Sequence, residues 1–544
     1  MKFILHKLFC YLFCFATFTT AINILASDSS GVCSAISDNI TPSISCCFPE
    51  DYSITNNSNV YGQTNFVTHP VQWDQFRRMS GVSTEKLHLF NQTEFYGTVS
   101  LALQYQQTSN ANHLAQWFLF NNNSPNSMSY APNDNGTGEI FSADINAYNF
   151  GVTATGTISF QPKIQNFIAD IDLYMGWDQF VCGLWSRVSI PINWTRWDLQ
   201  LCDSNQSDPG NDTFPIALMQ KGEAAEVTYA NLQQAWVGNK PFGDAPVMLS
   251  GCIDGPKDVT AVAGLKLELG YDFVRKTDRH LALSCLVVVP TGNSPNAQYL
   301  FEPISGSNKQ WELGVDINGH YNFWEAAECY RSLGLHFDVA IMGMLKRNQK
   351  RIFGLKAGPD GTCSAGATWL LLKEFDNGDE YARLQRASNI LALNADIGSS
   401  FETNLGILVK YIHNHFSFDL GYELYYRNSE SISNRIPIEE DKYSIKGNTN
   451  AGIDTTASKS TISINGATDV ELIHLKDTDV CECPALQPAY LSSKLFSFIE
   501  HSWDSNWQPT FSIGCAYEWG NKRDGANNLA ANQWSVLAKG SVSF

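Results

Sequence analysis

WSVLAKGSVSF (residues 534–544) alternates with a period of two. Trp534, Val536, Ala538, Gly540, Val542 and Phe544 share one face, and Ser535, Lys539, Ser541 and Ser543 share the other. Successive side chains of a strand point to opposite sides, so this stretch is a strand with one apolar and one polar surface. The pattern recurs upstream in AGLKLELGYDF (263–273), WELGVDINGHYNF (311–323) and FSFDLGYELYY (416–426), with similar runs at 166–177, 180–194, 332–341, 405–411 and 511–519. Helical spacing would scatter these apolar residues around a cylinder. The runs reach about ten residues, beyond the five or six usual in globular sheets, and match a tilted strand crossing a bilayer.

Alternation alone suits a soluble sandwich, apolar inward, as well as a membrane barrel, apolar outward. Three features favour the barrel. First, short connections (504–509, His413-Asn414-His415, 324–328, Lys276 to Arg279) take turns with long ones (520–533, 428–493, 346–402, 291–309, 196–261). Membrane barrels have short periplasmic turns and long outer loops. Second, Trp177, Trp194, Tyr271, Phe273, Trp311, Phe323, Phe416, Tyr426, Phe511, Trp519, Trp534 and Phe544 lie toward strand ends on the apolar face, where rings favour the membrane interface. Third, a closed barrel leaves no edge unpaired in lipid, so a last strand pairs with the first.

The start MKFILHKLFCYLFCFATFTTAINILASDSS carries Lys2 and Lys7, an apolar run and small residues at Ala21 or Ala26. That is the pattern of a secretory signal. Residues 1–26 are therefore read as a signal peptide, 27–93 as an N-terminal periplasmic or plug segment, and 94–544 as the barrel. A net charge of −18 argues against nucleic-acid binding. Export permits disulfides, and a bridge between Cys202 and Cys252 would tie the base of one long loop.

The polar strand faces carry Asp170, Asp172, Glu268, Asp272, Glu312, Asp316, Asp338, Asp419, Glu423 and Glu518, against Arg187, Lys266, Lys410 and Lys539. In a barrel these line the lumen, and an acidic lining concentrates cations. Two readings follow: a water-filled, mildly cation-preferring pore, or a lumen plugged by the N-terminal region or folded-in loops. No GxSxG, HExxH or Walker-type motif is present, and carboxylate pairs arise from alternation alone. Neither His413-Asn414-His415 nor Cys481-Glu482-Cys483 has the second ligand pair a structural zinc site needs. No catalytic residue, metal or cofactor is assigned.

With these residues in view, the chain resembles a Gram-negative outer-membrane β-barrel protein. In that class the barrel-assembly machinery recognises an alternating last strand with a terminal aromatic; Val542 and Phe544 match its two apolar positions, and Gly540 lies one position off the usual glycine. VVVPTGNSPN (287–296) followed by GSNKQWELGVDINGHYNF (306–323) is similar to a strand, loop and returning strand of fatty-acid and aromatic-hydrocarbon transport porins, although their Asn-Pro-Ala element is absent. The resemblance implies an all-β, transmembrane, antiparallel up-and-down barrel of about 12–16 strands with long extracellular loops, in the bacterial outer membrane. It implies contact with outer-membrane lipid and passage of small solutes. The rival expectation is a surface adhesion or antigen protein that uses the barrel to anchor its loops. Both a monomer and a homo-oligomer fit.

Overall fold

Twelve long strands form a closed antiparallel ring in the computed structural model. The structure describes residues 62–81, 87–89, 95–120, 124–132, 143–204, 229–326, 331–356, 363–376, 380–446, 474–520 and 531–544. The signal-peptide reading of 1–26 and the segment 27–61 lie outside them. In chain order the barrel strands are β1 (Tyr96–Thr108), β2 (Lys163–Gly176), β3 (Leu184–Asp198), β4 (Leu265–Lys276), β5 (Arg279–Val289), β6 (Glu312–Glu325), β7 (Arg331–Met344), β8 (Phe401–His413), β9 (Phe416–Arg427), β10 (Tyr490–Ser502), β11 (Thr510–Gly520) and β12 (Gln533–Ser543).

Each strand pairs with its neighbours in sequence, and β12 returns to β1 in a register running from Thr98 opposite Ser543 to Thr108 opposite Gln533. Phe544 completes the seam: its N–H donates to Gly97 O, and Gly97 N–H donates to its carbonyl, both at 2.9 Å. Its ring covers Gly97, where a Cβ would lie 2.7 Å from Phe544 Cζ. Closure removes the edges that a bilayer core cannot solvate.

The exterior is apolar. On β12, Trp534, Val536 and Val542 are exposed while Ser535, Leu537, Lys539 and Ser541 are buried. Leu267 and Leu269, Leu281 and Leu283, Leu313, Val315 and Ile317, Phe418 and Leu420 repeat the arrangement around the ring. A water-soluble sandwich would bury these side chains, so this surface faces lipid. Phe273, Phe323, Phe416, Phe511 and Phe544 mark the short-turn end; Trp311 and Trp534 mark the other. Among the described residues no helix is long and apolar enough to cross a membrane; the strands do so.

Beyond the long-loop end the connections fold into a layer of small sheets. One joins 127–131, 145–146, 156–159 and 202–204; another joins 347–352, 392–399 and 430–433; a third joins 371–376, 380–386 and 443–445. Aromatic groups, among them Phe118, Trp197, Trp236 and Phe301, form its larger core. Leu372, Leu391, Ile397 and Leu475 belong to a second core.

The expected Cys202–Cys252 bridge is not formed. Cys202 is exposed on a short strand opposite Ser159, whereas Cys252 is buried and its thiol donates to Met248 O at 3.3 Å. The bridge that does form links Cys363 to Cys481 across 118 positions. Cys483 Sγ lies within 4.8 Å of both bridged sulfurs.

Candidate functional site

The fourteen side chains assigned to the lumen from sequence all point inward, and eleven of them carry relative exposures of 5% or less. What fills the lumen is the chain's own N-terminal segment. Residues 62–66 are held in the outer layer, where Gly62 and Gln63 donate backbone N–H groups to Leu119 and Trp117 and Thr64 donates to Pro484 O. The segment then enters the barrel as far as Gly81, and His88 and Leu89 lie beside Tyr174 and Tyr96 near the short-turn end.

One turn of helix, α1 (Gln75–Met79), sits mid-lumen. Asp74 caps it, accepting from Phe76 N–H at 3.0 Å. The same carboxylate accepts from Arg77, from Gln104 and from Lys494 on β10, so the cap fixes the helix to the wall. Arg77 reaches Asp170 at 3.2 Å. Arg78 spans three strands: it pairs with Glu268, donates to Asp338 at 2.6 Å and lies 3.3 Å from Asp316. Gln75 also donates to Asp338, at 2.6 Å. Trp73 and Gln72 both donate to Glu312, at 2.6 and 3.0 Å, and Lys266 lies over the Trp73 ring. His69 contacts Glu518 at 3.0 Å and stacks on Tyr425. Lys539 donates to the carbonyls of Arg77 and Ser80.

Other lumen groups pair with one another. Arg187 holds Asp172 at 2.8 Å, and Lys410 lies between Asp419 and Glu500. Buried charges are costly unless paired and hydrogen-bonded, and the segment supplies much of that pairing.

Apolar contacts complete the fit. Phe76 packs on Phe496 and Phe498, with Leu408 and Leu537 in the same cluster. Trp73 clusters with Leu286, Val288, Ala340 and Met342. All of these wall residues lie on the inward side of their strands, where alternation leads one to expect polar groups. A glycine is required where α1 approaches β8: a Cβ at Gly406 would lie 2.9 Å from Gln75 Cγ.

Residues 71–81 are thus the luminal element that the strand pattern does not mark individually. Two signals point to it. Asp74-Gln-Phe-Arg-Arg carries a capping residue and paired arginines opposite an acidic lining, and inward apolar residues such as Leu286, Val288, Phe496 and Phe498 need a partner inside. Two small spaces lie beside the segment among the described residues. One of about 60 Å³ lies near the short-turn end between Arg78, His88, Trp185, His280 and His336; another, of about 20 Å³, lies between Asp74, Arg77, Asp172 and Lys539. A water needs about 10–15 Å³, so the first has room for about four to six waters and the second for about one or two.

The connection between β5 and β6 roofs the lumen. Ser307 Oγ accepts from Gln72, and Asn193 donates to Ser305. Glu302 organises this loop by accepting the backbone N–H groups of Asn296 and Ala297, at 3.1 Å in each closest contact. Burial pushes its carboxyl up to about 7. A carboxyl raised in the folded state takes up protons on folding, so its contribution is greatest below the unfolded value of 4.5. It is lost as pH rises toward 7 and is flat above that. Wild-type protein is therefore expected to lose about 1–3 kcal/mol of roof stability between those limits. Hydrogen exchange of residues 290–311 checks this; Glu302→Gln should abolish the pH slope, and an unchanged slope would contradict the assignment.

No family model matches the chain, and no curated protein matches it. Among solved structures, an outer membrane channel from Pseudomonas putida F1 is 10% identical, covering 82% of this chain and 96% of that one with a TM-score of 0.34. A Pseudomonas aeruginosa FadL homologue is 8% identical, covering 89% and 99% with a TM-score of 0.28. The Pseudomonas putida toluene transporter TodX is 8% identical, covering 89% and 95% with a TM-score of 0.27. At such scores none of these neighbours bears on what this chain does. The closed twelve-strand ring, its apolar exterior and its two aromatic girdles make the chain a membrane-spanning antiparallel β-barrel, with a lumen occupied by residues 69–81 of the same chain.

Proposed function

We propose that the protein is a gated outer-membrane channel for small solutes, closed by residues 69–81 and opened when that segment shifts. One observation carries the reading: the segment is held in the lumen largely by ion pairs and hydrogen bonds that water and passing ions can replace. A barrel serving only as an anchor has no need of a charged wall matched to a removable partner. The reading is of passage, with no catalytic step. Val542 and Phe544 are the proposed contact for the assembly machinery.

Displacement of the segment would remove Arg77 and Arg78 from a wall whose carboxylates outnumber Arg187, Lys266, Lys410, Arg427, Lys494 and Lys539. The open state is accordingly proposed to prefer cations, mildly because the basic groups remain. In a planar bilayer under a potassium chloride gradient, the reversal potential should shift toward the potassium equilibrium value. A shift toward chloride would reject the preference. A protein that stays silent even with the segment loosened would favour the adhesion reading, which draws on the folded outer layer with its own cores and disulfide.

A further inference from the structure

The lumen holds a row of imidazoles that the gating contacts leave unused. His280 on β5 is directly opposite His320 on β6, and His320 is directly opposite His336 on β7. Three adjacent strands therefore present histidine at one level, near the short-turn end. His88, just before β1, stacks on His280 with ring centroids 4.2 Å apart; His280 to His320 is 4.4 Å and His320 to His336 is 5.4 Å.

The hydrogen bonds around the row fix where the lone pairs lie. Asn318 donates its amide to Asp316 at 2.8 Å, which leaves its carbonyl oxygen to accept from His280 Nε2 at 3.2 Å. His280 Nδ1 then carries a lone pair, and it faces Nδ1 of His320. Asp272 Oδ1 sits 2.8 Å from His88 Nδ1, holding the proton there and leaving Nε2 basic. A carboxylate or carbonyl behind one ring nitrogen, with the other nitrogen free to bind, is the usual support of a metal-ligating histidine. His336 is 5% exposed and makes no hydrogen bond among the described residues. His88, His280 and His336 border the 60 Å³ cavity, which has room for an ion and a few waters and is too small for an organic solute, and His320 reaches the row through its contact with His280. Arg78 and Arg187 also border it, but Glu268, Asp316, Asp338 and Asp172 pair with their charges.

We propose that this row binds a divalent transition-metal ion of the imidazole-preferring kind, such as zinc, nickel, cobalt or copper, with His280 and His320 as the principal ligands. Waters complete the shell, and His88, which stacks on His280, joins it by side-chain rotation. Calcium and magnesium, which want oxygen ligands, are not expected. Where His88 takes part, the ion ties the end of the lumen segment to β5 and β6. That consequence rests on the gating reading; the binding itself does not.

The test uses full-length protein refolded in detergent, stripped with a chelator and titrated with cobalt(II), then zinc(II). Saturable binding with tetrahedral ligand-field absorption, displaced by zinc, is expected. His280→Asn with His320→Asn should weaken zinc binding about 10–100-fold or more. The control His413→Asn with His415→Asn, at an exposed turn, should leave it unchanged. Heat-modifiable gel migration verifies that each barrel is folded. His88→Asn, outside the strands, serves as the second variant and should weaken binding while leaving assembly intact. No saturable binding by the wild type, or equal binding by the folded His280/His320 variant, overturns the proposal. Either result leaves bilayer conductance free to support gating independently.

Discussion

Arg78→Ala is expected to turn a largely closed barrel into a conducting one. The guanidinium is the common partner of Glu268, Asp316 and Asp338, which approach it from three different strands. Its removal leaves Glu268 paired with Lys266 and leaves Asp338 and Asp316 with the neutral donors Gln75 and Asn318, and breaking a buried pair from one side costs about 3–5 kcal/mol. Borne by the closed state, that loss shifts the balance of closed to open forms by a factor of about 10²–10⁴. Barrel closure should survive, because the ladder from β1 to β12 does not pass through the segment. Bilayer recordings should show rare openings in the wild type and sustained steps in the variant. Arg78→Lys keeps a charge but loses the planar fork that spans several carboxylates, so an intermediate open fraction is expected. A folded Arg78→Ala barrel as silent as the wild type would sink the gating reading.

The strands were legible because lipid outside and a polar lumen inside impose a period of two on every crossing. The inward placement of Glu268, Asp316 and Lys539 follows from that period alone. The outer layer was not legible, since strands such as Leu371–Asp376 are short and buried on both faces, which erases alternation. Pairing of Cys363 with Cys481 depends on how two distant loops meet, and no local pattern encodes it. The histidine row required the register of three strands at once, while the sequence displays only isolated histidines. The lumen segment lies between these cases. Its charges and the inward aromatic residues Phe496 and Phe498 were visible, but each breaks or balances a pattern that belongs to other parts of the chain.

Deleting Phe544 is expected to separate assembly in cells from folding in detergent. The residue contributes two backbone hydrogen bonds to Gly97 and a ring that lies near Phe95 at the barrel's short-turn rim. Net values of about 0.5–1.5 kcal/mol for each bond put the loss at about 1–3 kcal/mol. The remaining ladder from Thr98 to Thr108 holds the seam, so the truncated protein should still give a heat-modifiable band after refolding. In the cell the unpaired strand must be engaged before the ring closes, because open edges in the hydrocarbon region cost several kcal/mol per unsatisfied group. The exposed Phe544 ring beside Val542 is the proposed handle for that step, and its loss should lower outer-membrane levels far more than detergent stability. Adding a charged tail after Phe544 should act the same way, by placing ions where the rim meets lipid. Equal outer-membrane yields of the truncated and intact proteins would show that the seam closes without that handle.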